Sequence, residues 1–104
     1  MDLASLLHRA KASLNDVFGG RFACVVLYGS QARGEATADS DIDLIVLLNG
    51  EPDEPSDSWR CIDALYPLVL ESGVTIHAEP VSFEEYQASP FPLYRNARRE
   101  GVSV

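Results

Sequence analysis

Seven consecutive apolar residues, Phe22 to Tyr28, are cut off abruptly by Gly29-Ser30. No other feature constrains the fold as strongly. The run is far short of the ~20 residues a membrane span needs. It is rich in β-branched and aromatic residues, so it reads as a central strand buried on both faces. A strand of that kind calls for helices packed against its sheet. One precedes it: Leu3, Leu6, Leu7, Ala10, Leu14, Val17 and Phe18 recur at helical spacing, and Gly19-Gly20 closes the pattern.

The remaining segments complete a layered α/β order. Ser30 to Ala36 predicts a short helix, with a turn from Thr37 to Ser40. Asp41 to Leu48 predicts a second strand with Asp41, Asp43, Ile45 and Leu47 on one face and Ile42, Leu44, Val46 and Leu48 on the other. Glu51 to Asp57, with four acids, no base and two prolines, reads as a solvated loop. A helix follows, with Asp57 or Ser58 as N-cap and Trp59, Ile62, Leu65, Tyr66, Val69 and Leu70 at helical period. Pro67 is expected to kink or split it, and Trp59 and Tyr66 are expected to pack in the core. Val74 to Val81 reads as a third strand, with Val74, Ile76 and Ala78 alternating against Thr75, His77 and Glu79. Ser82 to Glu85 is a capping box opening another helix, which Ser89-Pro90 breaks. Pro92 to Glu100 predicts a last helix with Gly101 beyond its end, and Val102 to Val104 an extended tail. The expectation is one α/β domain over residues 1–104, a small mixed sheet flanked by helices.

Charge narrows the function classes. Eight Lys+Arg against sixteen Asp+Glu give a net charge of −8. That disfavours a protein that coats DNA or RNA, which needs clustered Lys/Arg. A nucleotide carried in with a divalent cation stays open. Cys24 and Cys61 lack metal-ligand spacing and read as reduced thiols in a cytoplasmic protein. The start, Met1-Asp2-Leu3, lacks the basic and apolar stretches of a signal peptide.

The chemistry is concentrated between Gly29 and Leu44. A buried strand delivers Gly29-Ser30 to a sharp turn that opens a helix. Glycine lets the backbone come close to a ligand, and exposed N–H groups at a helix start favour an anion. Ser30 adds a hydroxyl. One strand later, Asp41 and Asp43 point the same way, and like charges that close repel unless a cation neutralises them. A hard divalent ion such as Mg²⁺ does so with carboxylate and phosphate oxygens. A Gly-Ser turn or an Asp-x-Asp strand start is, by itself, most often structural. Together, each at the right end of its strand, they point to phosphoryl or nucleotidyl transfer.

Gly29-Ser-x-x-Arg-Gly34 followed by Ser40-Asp-x-Asp-Leu44 resembles the signature of the DNA polymerase β-like nucleotidyltransferases, in particular the minimal nucleotidyltransferases. The tail Pro92 to Gly101 is similar to that group's tail. The resemblance implies Mg²⁺-dependent transfer of AMP from ATP. Many minimal members are the antitoxin half of a toxin–antitoxin module, whose partner is an all-helical HEPN ribonuclease toxin silenced by AMP on a tyrosine. By this resemblance Gly29 and Ser30 match the phosphate-binding pair, and Asp41 and Asp43 the metal-binding, catalytic pair. Arg33 matches the family's Arg, either a cofactor-binding phosphate contact or a structural ion pair; Arg forks often brace carboxylate-rich loops. The family's third carboxylate, on the next strand, has no direct counterpart. His77 falls near that position, with Glu79 two residues on and able to substitute as a catalytic carboxylate.

Three functions follow as expectations: a protein adenylyltransferase in complex with its toxin, an antitoxin that neutralises by occlusion, or a transferase to a small-molecule hydroxyl. About 104 residues leave little room for the last one's second pocket. Arg95, Arg98 and Arg99 form a basic helical face, either placed for a helix C-terminus or docking phosphates or a partner. His8 reads as a solvated residue.

Overall fold

A computed structural model describes residues 2–35 and 40–104. Helix α1 (Leu3–Phe18) starts where the Asp2 carboxylate accepts the Ser5 N–H at 2.7 Å, satisfying one of the unpaired donors of the first turn. It buries Leu6, Ala10, Leu14 and Phe18, one residue per turn. Strand β1 (Phe22–Tyr28) matches the apolar run residue for residue. The one-turn helix α2 (Ser30–Arg33) is shorter than the pattern to Ala36 suggested. Ala36, and the expected turn apart from Ser40, lie outside the described residues. Strand β2 (Ile42–Leu48), helix α3 (Ser56–Ser72), strand β3 (Ile76–Ser82), helices α4 (Phe83–Ala88) and α5 (Pro92–Glu100) and the short strand β4 (Val102–Ser103) follow.

The sheet order is β3-β2-β1-β4. β1 runs antiparallel to β2 and β4, and β2 runs parallel to β3. Because α3 is the crossover between parallel strands, it must cover a sheet face, and it shares that face with α1. Leu6, Leu14 and Leu65 close there on Val25, Leu44 and Val46. On the opposite face, Val26, Ile45, Leu47 and Val81 lie under Tyr86 of α4 and Ala97 of α5. The predicted alternation of β2 therefore holds, and both faces are apolar beyond Asp43. The C-terminal end of β1 and the N-terminal ends of β2 and β3 meet at one rim.

Helix α3 departs from expectation in three ways. Asp57 is not a solvated cap. It is fully buried within the first turn of the helix. Its carboxylate accepts both guanidinium nitrogens of Arg21 at 2.8 and 2.9 Å, Arg60 at 2.7 Å and the Asp53 N–H at 2.7 Å. Second, Trp59 and Tyr66 are exposed, as are Ile62 and Leu70. The buried stripe is Asp57, Cys61, Leu65 and Leu68. Both stripes have helical period, so spacing alone does not choose between them, and the Arg21–Asp57 pair anchors the helix with the second stripe inward. Third, of the two effects expected of Pro67, the split does not occur: α3 is one helix from Ser56 to Ser72. Pro67 lies on its exposed side, where a carbonyl left without its helical partner can turn to water.

The C-terminus also differs. Residues 102–103 pair with Val26 and Leu27 instead of trailing away. Gly101 has an ordinary φ of −73°. It is needed for close packing: a Cβ there would lie 2.4 Å from the Ala97 carbonyl and 2.7 Å from Val26. Among the described residues, no helix is long and apolar enough to cross a membrane.

Candidate active site

The rim where β1 ends and β2 and β3 begin carries the polar residues of this sheet face. Asp43 is opposite Tyr28 on β1 and His77 on β3. Asp41, two residues earlier, projects to the same side just before β2 begins. The two carboxylates differ in surroundings. Asp41 is exposed and its Oδ2 accepts a hydrogen bond from His77 Nε2 at 3.1 Å. Asp43 is half-buried. Burial pushes its carboxyl above the ordinary value, the His77 ring opposes this, and the neighbouring Asp41 charge adds to it. This pair gains from a cation.

Gly29 sits against Asp43. Its φ of 76° and ψ of −154° belong to backbone that only glycine adopts readily. A Cβ at Gly29 would stand 2.8 Å from Asp43 Oδ2. The glycine that the sequence offers for phosphate approach thus also makes room for the carboxylate. Ser30 opens α2 at the same point, and the Arg33 N–H bonds back to the Gly29 carbonyl at 3.2 Å. The Gly-Ser turn therefore lies beside Asp43, with no room between them for a side chain at position 29.

The remaining candidates are placed unequally. Glu79 is on the same face as Asp43 and His77 but two residues further along β3, opposite Ile45. Among the described residues, no three His, Cys, Asp or Glu side chains are arranged to hold a metal ion. Two carboxylates still fit Mg²⁺, which is often held by one or two of them with phosphate oxygens and water completing the shell. Arg33 donates to Glu35 at 3.0 Å and lies 4.0 Å from Glu100, joining α2 to α5. That is the bracing geometry. Arg98 donates to the Tyr86 carbonyl and lies over the Tyr86 ring, and Arg99 reaches Glu100. These two belong to the end of α5, and His8 is exposed.

Sequence reasoning did not pick out Tyr28 or Asn96. With Gly29, Arg33 and Leu93 they line a cavity of about 250 Å³ between the Gly-Ser turn and α5. Tyr28 also borders a cavity of about 290 Å³ with His77, Glu79 and Ile62. Burial raises the Tyr28 phenol, and the charges of Asp43 and Glu79 raise it further. The only signal for Tyr28 in the sequence was its place as the last residue before Gly29. A larger cavity, about 690 Å³ between α1 and the start of β1, has no Asp or Glu among the described residues of its lining.

Known proteins resemble this chain in sequence and fold. Residues 13–95 match the nucleotidyltransferase domain family. A protein of Methanocaldococcus jannaschii, named "Putative protein adenylyltransferase MJ0604", is 32% identical over 90 residues, covering 86% of this chain and 84% of its own length. A solved structure described as a putative minimal nucleotidyltransferase is 29% identical, with a TM-score of 0.61 over 100% of this chain and 97% of the other. A toxin–antitoxin crystal structure with AMP-PNP has a TM-score of 0.62 at 17% identity, over 88% of this chain and 67% of that one, a likeness of fold. The chain belongs to the nucleotidyltransferase domain family, and its mixed sheet flanked by helices is the polymerase β-like fold. It is an enzyme class in which a nucleotide is a substrate.

Proposed function

We propose that this nucleotidyltransferase, acting as one domain over residues 1–104, moves AMP from ATP onto a tyrosine of a HEPN ribonuclease toxin and so serves as a cytoplasmic antitoxin. The observation that carries this reading is the Asp41–Asp43 pair held against the Gly29-Ser30 turn. The name of the M. jannaschii relative and the toxin–antitoxin fold neighbour favour a protein acceptor.

Asp41 and Asp43 would hold Mg²⁺, which supplies neutralisation of the triphosphate and a lowered pKa for the acceptor hydroxyl. Gly29 and Ser30 present backbone N–H groups and a hydroxyl to the β- and γ-phosphates. The tyrosine oxygen attacks the α-phosphorus. A new O–P bond forms as the bond to the bridging oxygen breaks, and pyrophosphate leaves. The phenolic proton passes to Glu79 or to water. Arg33 holds the turn to α5 through Glu35 and Glu100.

A second reading has one observation behind it: His77, not a carboxylate, stands opposite Asp43. That arrangement favours an antitoxin that only occludes its toxin. Intact-protein mass spectrometry separates the two. The probe is the purified HEPN toxin proposed as partner, incubated with ATP and Mg²⁺. Transfer adds one or more adenylyl masses to the toxin, and the Asp41→Asn/Asp43→Asn variant adds none. Equal neutralisation by both proteins without any mass gain would establish occlusion.

A further inference from the structure

Helix α3 presents an apolar stripe that nothing in the described structure covers. Trp59, Ile62, Tyr66 and Leu70 are 60%, 52%, 56% and 66% exposed. They are spaced three, four and four residues apart, so they form one continuous strip along the helix. A patch of large side chains like this, on a small domain, marks a binding surface. Trp and Tyr are also the residues that most often dominate binding energy.

Two further features say what binds there. The first is direction. α3 and β3 are adjacent, and Ile62 shares the 290 Å³ cavity with His77, Glu79 and Tyr28. The stripe is therefore continuous with the candidate active site. The second is charge. The exposed acids on and beside α3 include Asp63, Glu51, Asp53 and Glu54 of the loop leading into it, and Glu79 at the shared cavity, whereas α3 itself carries a single basic residue, Arg60. Arg60 is bound to Asp57. A second copy of this chain would bring an equally acidic rim against this one, and like-charge juxtaposition opposes that pairing. A partner with an apolar face bordered by Lys and Arg is complementary.

We infer that the Trp59–Leu70 stripe, with its acidic rim, docks the protein acceptor of AMP through an apolar face flanked by basic residues, and delivers the acceptor hydroxyl to Asp41 and Asp43. This rests on the reading that the acceptor is a protein. It adds where that protein binds and what surface it must present. Docking away from the reacting atoms holds the acceptor in place for in-line attack, which a site this open does not do by itself.

The test uses the full chain and the purified HEPN toxin. Affinity is measured by interferometry, transfer by mass spectrometry, and Mg²⁺-ATP binding by calorimetry. Trp59→Asp/Tyr66→Asp should weaken toxin binding by about 10²-fold and raise the KM for toxin, with ATP affinity unchanged. Asp63→Lys, on the rim, should slow association and flatten its salt dependence. Circular dichroism checks that each variant is folded, and the exposed Leu70→Lys variant repeats the test should the double variant fail to fold. Toxin affinity that ignores all of these substitutions overturns the inference. So does a wild-type dimer that the same substitutions dissociate, since the stripe then covers a second copy. Stripe-dependent binding without AMP transfer would sink the catalytic reading and leave the docking surface standing. Transfer that ignores the stripe does the reverse. A wild type that does not bind the toxin removes both.

Discussion

Replacing Gly29 by alanine tests the contact on which the site is built. Two terms contribute. The backbone at φ 76° and ψ −154° is essentially restricted to glycine, and a side chain there costs about 1–3 kcal/mol. The new Cβ would also lie 2.8 Å from Asp43 Oδ2, too close for both to stay. The carboxylate is the end of a short side chain on a half-buried residue, so it yields at small energetic cost, but its position changes. Stability should therefore fall by about 2 kcal/mol, which in a domain of this size lowers Tm by roughly 8–16 °C. Transfer should fall by about 10²-fold, the penalty for a misplacement of about 1 Å at reacting groups. A double-mutant cycle separates the terms. In an Asp43→Ala background the close contact is gone, so Gly29→Ala should lose only the backbone term, measured by thermal or urea unfolding. Gly29→Ala that keeps wild-type Tm and transfer would refute this account of the turn. An identical stability loss together with wild-type transfer would refute the Asp43 part alone.

Asp43→Asn should stabilise the ligand-free fold slightly at pH 7 while abolishing transfer. Burial raises this carboxyl, so its ionised form is penalised above the raised pKa, and the penalty vanishes as pH falls below the ordinary carboxylate value; thermal melts against pH check this. Asp57 has the opposite sign. The Arg21 guanidinium holds its carboxyl far below the usual carboxylate range, so its contribution is complete above the ordinary carboxylate pKa and is lost as pH falls towards the lowered one. Asp57→Asn should cost about 2–4 kcal/mol by urea unfolding and remove that part of the acid dependence. Burial pushes the Cys61 thiol up to about 12, so it should react with Ellman's reagent only as the protein unfolds. Glu79→Gln should slow transfer by about 10²-fold with unchanged Mg²⁺-ATP affinity, measured by single-turnover kinetics.

Much of the site was legible because strands have a period of two. That period puts Asp41 and Asp43 on one face and His77 and Glu79 together on theirs. The apolar run Phe22 to Tyr28 and the heptad-like pattern Leu3 to Phe18 also became elements with the predicted ends. Helix α3 was harder for a physical reason. It carries two interleaved stripes of helical period, and what selects the inward one is an ion pair to Arg21, 36 residues away. The same distant partner explains why Asp57, read locally as part of an acidic loop, is buried. Gly29 is marked as special by the motif, but its closeness to Asp43 arises across two strands and depends on their register. Tyr28 was hidden for the same reason: its neighbours at the site come from β2 and β3.

In the proposed function, the strand-end pair Asp41 and Asp43 forms a metal-dependent nucleotide site with the Gly29-Ser30 turn. Calorimetric titration of ATP into the wild type and into Asp41→Asn/Asp43→Asn, each with and without Mg²⁺, tests it most directly. ATP should bind the wild type only with Mg²⁺, and the folded double variant should bind it in neither condition. Equal ATP affinity in the two proteins, or wild-type binding that does not depend on Mg²⁺, would contradict the account.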